Sequence, residues 1–426
     1  MKFNSAQIQR KIQPLVNKIS NNRYLKAMMG GMMAAMPATI IGSLAALLKS
    51  LPIAPYQNFI TSNGIDKYLQ LPVTLTTNIL ALIFVFCITY SLVESFEQKG
   101  IGPSVVAVIS FLILTPLQAT KNSWGQDVSV IPMDWLGSTG IFTALIVAFV
   151  VGRLYVSIVE RGWTIKMPES VPPFIKDSFS SLIPGIIIST IFVIISAIFA
   201  STSFGSIHEF IYKLLQAPLQ QLGGSFGAVI VVAILAQTLW LFGIHGSMVV
   251  MSVMMPIWVA LDTANLAASS AGQPVPNVIG QNFFSLCTYG GTVLGLAILM
   301  LTAKSQRFKM LGKLSIVPAL FGITEPLIFG TPLVMNPVFA LPFVFGNVIS
   351  LILGYIATIA GFIPKLTGIA APVGTPIIIK GFIVGNWQTA VFQFVLILIW
   401  IGLWYPFFKI ADNKAIKEES GEVQEQ

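Results

Sequence analysis

Apolar runs of about twenty residues recur along most of the chain, separated by short polar or charged segments, without the residue-by-residue alternation of a membrane β-strand. A helix of that length crosses about 30 Å of hydrocarbon, and apart from closed barrels only helices satisfy their own backbone groups there. The runs predict spans near 24–48, 72–93, 103–117, 138–159 and 179–200, then near 227–244, 249–261, 284–301 and 384–404. Between the two sets, "FGSIHEFIYKLLQAPLQQL" (204–222) carries apolar residues at helical spacing with charges between them, which predicts a short helix lying in the interface, with His208 as an interfacial histidine. The fold class expected is an all-α polytopic membrane protein.

Residues 317–382 depart from this regularity. They are apolar but interrupted by Pro318, Pro326, Pro332, Pro337, Pro342, Pro364, Pro372 and Pro376 and by many glycines. Two interrupted pieces share a tripeptide, Gly330-Thr331-Pro332 and Gly374-Thr375-Pro376. Non-helical backbone at membrane depth persists only where it is buried in protein or lines a cavity. The expectation is two re-entrant hairpins, near 317–337 and 362–382, bordering a substrate site.

Composition agrees with a membrane chain: 55% of the 426 residues are hydrophobic, 9% are charged and Phe occurs 30 times. The net charge of +8 does not point to nucleic acid, because the basic residues flank the apolar runs and so set orientation. Lys2, Arg10, Lys11, Lys18, Arg23 and Lys26 precede the first span, with no small-residue cleavage site after a short apolar core. A cytoplasmic N-terminus follows. "AKSQRFKMLGKLSIVP", with Lys304, Arg307, Lys309 and Lys313, and the charged tail with Lys409, Lys414 and Lys417 are also expected on the cytoplasmic side, whereas "TKNSWGQDVSVIPMDW" reads as an external loop. The prolines of "MPESVPPFIKD" (167–177) mark a further loop. Cys87 and Cys287 lie inside apolar segments, away from any CxxC or metal-ligand spacing, and read as structural; no metal or cofactor is expected.

Few ionisable groups remain at membrane depth, and a carboxylate there is costly unless it faces a polar cavity or a partner. Glu325 follows Thr324 and precedes Pro326, which has no N–H to give, so local polar groups are left to face a cavity. His245 ends a span between Gly243 and Gly246, where a broken helix would free its imidazole to accept and donate hydrogen bonds. A capping carboxylate and a satisfied helix-end histidine are the structural alternatives. A sugar site needs polar groups for hydroxyls and flat rings for the less polar sugar faces. Trp240, Asn282, Asn336, Asn386 and Trp387 are the second-half candidates, with Asn78 from the first half. Trp387 also suits an interface belt, and Asn78 a bond to a neighbouring helix. Lys380 can snorkel or bond hairpin carbonyls and is read as structural.

"LWLFGIHG", followed about eighty residues later by "PALFGITEPLIFGTPLVMNPV", together with the basic N-terminus before "YLKAMMGGMMAAMPATIIGS", resembles the membrane IIC component of the bacterial phosphoenolpyruvate-dependent phosphotransferase system, of the lactose/cellobiose type. The resemblance covers almost the whole chain. It implies a homodimeric permease of the cell membrane with about ten spans, two re-entrant hairpins and both termini cytoplasmic. By the same resemblance, Glu325 and His245 contact a β-linked disaccharide (cellobiose, lactose or chitobiose class) near the hydroxyl to be phosphorylated. Phosphate would come from a cysteine on a separate IIB protein, with IIA upstream. The chain would be the membrane subunit of a phosphocysteine-to-sugar phosphotransferase and not itself phosphorylated. "KEESGEVQEQ" closes the sequence without an appended soluble domain, so IIB is expected to act in trans.

The organisation expected is a basic N-terminus (1–23), a transmembrane dimerisation region (24–203), a sugar-binding region (204–408) and a cytoplasmic tail (409–426). An ion-coupled sugar symporter is the alternative, since interrupted helices with a membrane glutamate also suit ion coupling. A channel lacks support, because no filter-like repeat or ring-forming charge cluster is present.

Overall fold

The structure is a computed structural model that describes Pro14, Lys18 and residues 21–420 apart from 52, 169, 332 and 335. Lys2, Arg10, Lys11, Pro332 and the last six residues, all used in the sequence reading, lie outside the described residues. The chain is mostly helical. Among the described residues, seven helices are long and apolar enough to cross a membrane, or eight if the pair Ile207–Gly223 and Phe226–Leu241 forms one broken span. Two further apolar segments fall short of that test. Ile101–Leu114 is 14 residues long, and the stretch from Gln281 to Leu301 is split by a 3₁₀ turn at Tyr289–Thr292. The all-α expectation needs one correction: the polar loop after Leu114 folds into an antiparallel hairpin, Gln118–Lys121 with Asp127–Val130. Its turn is held by the Asn122 side chain, which accepts from the Trp124 and Gln126 N–H groups.

Two compact units divide the chain. One comprises residues 20–222 and 255–273. Its core is a continuous apolar cluster on the helices Arg23–Ala34, Leu80–Glu94, Ile101–Leu114, Ile141–Glu160 and Leu182–Ala200. Glycine permits the closest crossing: a Cβ on Gly31 would stand 2.5 Å from the Ile88 Cα. Asn78 lies in this unit, in the 3₁₀ turn Thr77–Ile79 that interrupts the run from Ile65 to Glu94. His208, expected at the interface, is instead fully buried: Trp135 stacks on its ring at 5.4 Å, Phe111 meets it edge-on at 5.0 Å, and Nε2 is 3.1 Å from the Thr115 hydroxyl. The neighbouring aromatic rings leave the imidazole inside the packing, where the apolar face of an amphipathic helix belongs.

The other unit comprises residues 1–19, 223–254 and 274–426. The buried tryptophans of the long helix Trp387–Glu419 organise it. Trp400 Nε1 donates to Ser350 Oγ (2.7 Å) and Trp404 Nε1 to the Thr292 carbonyl (3.1 Å), so both indoles are buried with their polar atoms satisfied. The last span was expected near 384–404, with a charged tail beyond. Here the helix continues to Glu419, because its end caps another helix. Asp412 accepts from the Lys304 and Ser305 N–H groups (3.0 Å each), and Glu419 accepts from Ser305 Oγ (2.7 Å), Gln306 N and Arg307 N (3.0 Å each). These are the unpaired donors that begin the basic helix Gln306–Leu320, and carboxylates complement the positive end of its dipole.

Candidate functional site

His245 and Glu325 occupy the same kind of local structure, reached from the same four residues. Leu-Phe-Gly-Ile occurs at 241–244 and again at 320–323. In the first copy, helix Phe226–Leu241 ends with Gly243 at φ +78°, Gly243 N–H bonding to the Trp240 carbonyl and Ile244 N–H to the Leu239 carbonyl. In the second, helix Gln306–Leu320 ends with Gly322 at φ +80°, Gly322 N–H bonding to Ala319 and Ile323 N–H to Pro318. Both are the left-handed glycine stop that satisfies the last carbonyls of a helix, a conformation that residues with a Cβ disfavour. A new helix then begins at once, Gly246–Ser270 after His245 and Glu325–Gly330 at the glutamate. Each ionisable group is therefore presented from a break between two helices.

The two breaks bring the groups together. His245 Nε2 lies 3.9 Å from Glu325 Oε1, and both side chains are about half exposed (43% and 48%). The imidazole is oriented from two sides. Met248 N–H donates to Nδ1 (3.3 Å), which makes that nitrogen the acceptor and leaves the proton on Nε2, facing the carboxylate. The Trp240 ring packs 4.3 Å from the imidazole, centroid to centroid, and its own Nε1 donates to Ser247 Oγ (3.2 Å). On the other side, Glu325 Oε2 accepts from Thr324 N–H (3.0 Å), so one oxygen is fixed and the other points into the gap. A separation of 3.9 Å is too long for a direct hydrogen bond and too short for an oxygen in line, but a hydroxyl oxygen set to one side can lie about 2.8 Å from each group, accepting from Nε2–H and donating to Oε1.

The remaining sequence candidates divide by what they touch. Trp240 is 5% exposed, so it orients the histidine and leaves little ring face for a sugar. Phe329, on the turn after Glu325 and 61% exposed, stands 6.2 Å from Trp240 and offers the open ring; sequence reasoning passed over it as one apolar residue among many. Asn282 is buried and donates to the Ile369 carbonyl (3.0 Å), tying the second broken segment to helix Gln281–Cys287. Asn336 Oδ1 accepts from Val338 N–H (3.0 Å) within its own loop. Asn386 caps helix Trp387–Glu419 in a reciprocal box with Thr389, and Trp387 at the first helical position is 64% exposed. Asn78 belongs to the other unit. Gln237 Oε1, three residues before Trp240, and Thr331 Oγ1, six after Glu325, are buried without a hydrogen-bond partner among the described residues.

Two residues outside the sequence candidates hold the broken segments. Tyr289 donates its phenol to the Thr375 carbonyl (2.5 Å), lies 3.4 Å from the Leu320 carbonyl, and carries Lys380 Nζ over its ring at 5.2 Å. Leu320 O also accepts from Ile377 N–H (3.0 Å), so one carbonyl joins the two segments. Gln393, fully buried in the last helix, accepts on Oε1 from Ile378 N–H (2.9 Å) and Gly381 N–H (2.8 Å) and donates to the Leu286 carbonyl (3.2 Å). A glutamine inside "VFQFVLILIW" was the visible signal. Tyr289→Phe is expected to keep the packing but leave carbonyls short of a donor, at about 1–3 kcal/mol. A fall in the thermal midpoint, with sugar affinity weakened several-fold, checks it; an unchanged midpoint would remove the tie.

Comparison with known proteins identifies the family. A match to the family described as "Phosphotransferase system, EIIC" covers residues 29–347. The oligo-beta-mannoside-specific EIIC component of Bacillus subtilis (strain 168) is 35% identical over 420 residues, spanning 97% of this chain and 95% of that one. The lactose-specific EIICB component of Staphylococcus aureus (strain N315) is 31% identical, over 98% of this chain and 73% of its own length. The crystal structure of the transporter ChbC, the IIC component from the N,N'-diacetylchitobiose-specific phosphotransferase system, superposes with a TM-score of 0.91 at 38% identity, over 98% of this chain and 100% of that one. With the break-to-break pairing of His245 and Glu325 on the same fold, the chain belongs to the phosphotransferase-system EIIC family.

Proposed function

We propose that the chain carries a β-linked disaccharide across the cell membrane and presents one of its hydroxyls, between His245 and Glu325, to a phosphocysteine on a IIB protein. The observation that carries this reading is the 3.9 Å gap with a donor on one side and a carboxylate on the other. The sugar hydroxyl accepts from Nε2–H and donates to Glu325. As its oxygen attacks phosphorus, the O–P bond forms, the S–P bond breaks, the thiolate leaves on IIB and the proton passes to the carboxylate. His245 is the poorer base, because Met248 N–H occupies Nδ1 and the proton is on Nε2. Positioning and electrostatics do most of the remaining work in phosphoryl transfer.

The β-linkage is supported by relatives named for oligo-beta-mannosides, lactose and N,N'-diacetylchitobiose, which differ in the sugar but share the linkage. The IIB partner is supported by the EIICB relative, of which this chain spans 73%. Phe329 and Trp387 supply exposed rings for the sugar faces, with Asn282, Asn336 and Asn386 as further polar contacts. Counting Ile101–Leu114 and the split Gln281–Leu301 as spans brings eight to ten, with the segments near 317–337 and 362–382 as re-entrant hairpins. An even count leaves both termini on one side of the membrane, and the basic flanks support the cytoplasmic side. A homodimer formed through the first-half helices, with the sugar in the second half, completes the reading.

Vesicles holding the chain, given labelled cellobiose, lactose and chitobiose with and without phosphorylated IIB, test it. Sugar phosphate inside only when IIB is present is the expected result. Free sugar accumulating without IIB, and lost with an uncoupler, would replace the proposal with a symporter.

A further inference from the structure

In the unit formed by residues 20–222 and 255–273, an open furrow of about 970 Å³ runs between the helices Ile101–Leu114 and Leu182–Ala200. Its walls are apolar and exposed, with Ile101 (67%), Val105, Ile109, Ile186 (62%) and Val193 facing outward. All of its charged groups lie just before the two helices in sequence: Glu94, the last residue of helix Leu80–Glu94, whose Oε1 accepts from Gly100 N–H (3.1 Å), and Lys99 on one side, and Asp177, in the short helix Pro173–Ser180, on the other, with Tyr90 also in the lining. All three charges are exposed, and none of them is in an ion pair among the described residues.

The dimensions match one leaflet. From Ile101 to Ile109 the first helix rises about 12 Å, and from Leu182 to Val193 the second rises about 16 Å, against about 15 Å of hydrocarbon per leaflet. A second cavity of about 620 Å³ begins where the first ends, sharing Ile109 and Val193, and continues to Leu117 and Ala200 with no charged residue. The charged end is the one that the flanking basic residues assign to the cytoplasmic face.

We propose that this furrow binds one phospholipid whose headgroup carries both a phosphate and a primary ammonium, an ethanolamine-type lipid, with an acyl chain laid along it. The argument is charge complementarity. Lys99 meets the phosphate, and Glu94 and Asp177 meet the ammonium, while two carboxylates against one lysine disfavour a lipid whose headgroup is purely anionic. A second copy of the chain is the competing occupant, because the homodimer proposed above also uses first-half helices; a lipid supplies an apolar tail and a two-signed head in one molecule, which the apolar walls and the two-signed charged end both match.

The test uses the full chain, purified in detergent and titrated with dioleoyl phosphatidylethanolamine or dioleoyl phosphatidylglycerol, read by native mass spectrometry and thermal midpoint. One phosphatidylethanolamine per chain is expected, bound at least tenfold more tightly than phosphatidylglycerol and raising the midpoint. Asp177→Asn combined with Glu94→Gln should bring the two lipids within about twofold, and Ile186→Trp should fill the furrow and remove the adduct. Equal binding of both lipids by the unaltered chain would overturn the proposal in favour of ordinary surrounding lipid. So would an unaltered dimer free of lipid that Ile186→Trp splits into monomers, which would make a second copy the occupant.

Discussion

Glu325→Gln should lower sugar-phosphate formation by about 10²–10⁴-fold, the usual span for removing a positioned acid–base group, while the protein folds and inserts as before. The substitution is mild on the protein side. Thr324 N–H bonds to one carboxylate oxygen, which the amide oxygen can replace, and the side chain is half exposed, so no buried packing is lost. What disappears is the charge facing His245 Nε2 and the ability to take the hydroxyl proton. Sugar affinity should also weaken, by about tenfold or more, because a hydrogen bond to a charged group contributes about 1.5–3 kcal/mol. Labelled-sugar binding and phosphate transfer from IIB, measured on one preparation, separate the two effects. If both stay at the level of the unaltered chain, Glu325 is neither the hydroxyl's partner nor its base.

Gly246→Ala should be nearly as damaging for a different reason. A Cβ at this position would overlap the Ala236 carbonyl oxygen and stand 2.9 Å from Leu239 Cβ, on the helix that ends beside His245. Backbone atoms cannot rotate aside, so the start of helix Gly246–Ser270 must move, and His245 moves with it. A displacement near 1 Å at a reacting group costs on the order of 100-fold. The expected result is loss of transport at about that level, with a lowered thermal midpoint. Gly227→Ala is the control: it sits in helix Phe226–Leu241 with nothing within 4 Å of the added carbon, and should transport normally. Equal activity in the two variants would mean that the close approach at Gly246 does not hold the histidine.

The candidate site was partly legible in advance, and the reasons differ by residue. Glu325 and His245 stood out because a carboxylate and an imidazole inside apolar sequence are costly without a cavity. The doubled Leu-Phe-Gly-Ile was equally visible, yet its meaning came only with the paired glycine stops at Gly243 and Gly322. Trp240 stood out as a ring for a sugar, and its packing against His245 was not legible, since composition does not say which way a ring turns. Tyr289 and Phe329 carried no signal, because an aromatic residue in an apolar run is ordinary until its neighbours are known. His208 was misplaced for the same reason: helical spacing marks a buried face but not the residues that cover it.

Hydrophobic run lengths, basic flanks and the proline-rich stretch from 317 to 382 were enough to establish a helical membrane chain with a disrupted second half. Those are local properties, set by transfer free energy and backbone chemistry residue by residue. The 3.9 Å pairing of two groups eighty positions apart, the phenol that ties Thr375, and the carboxylates of Asp412 and Glu419 that cap a helix more than a hundred residues earlier are not local. They depend on which helices pack against which, and packing is decided by shape complementarity summed over many side chains, which no single stretch of sequence encodes.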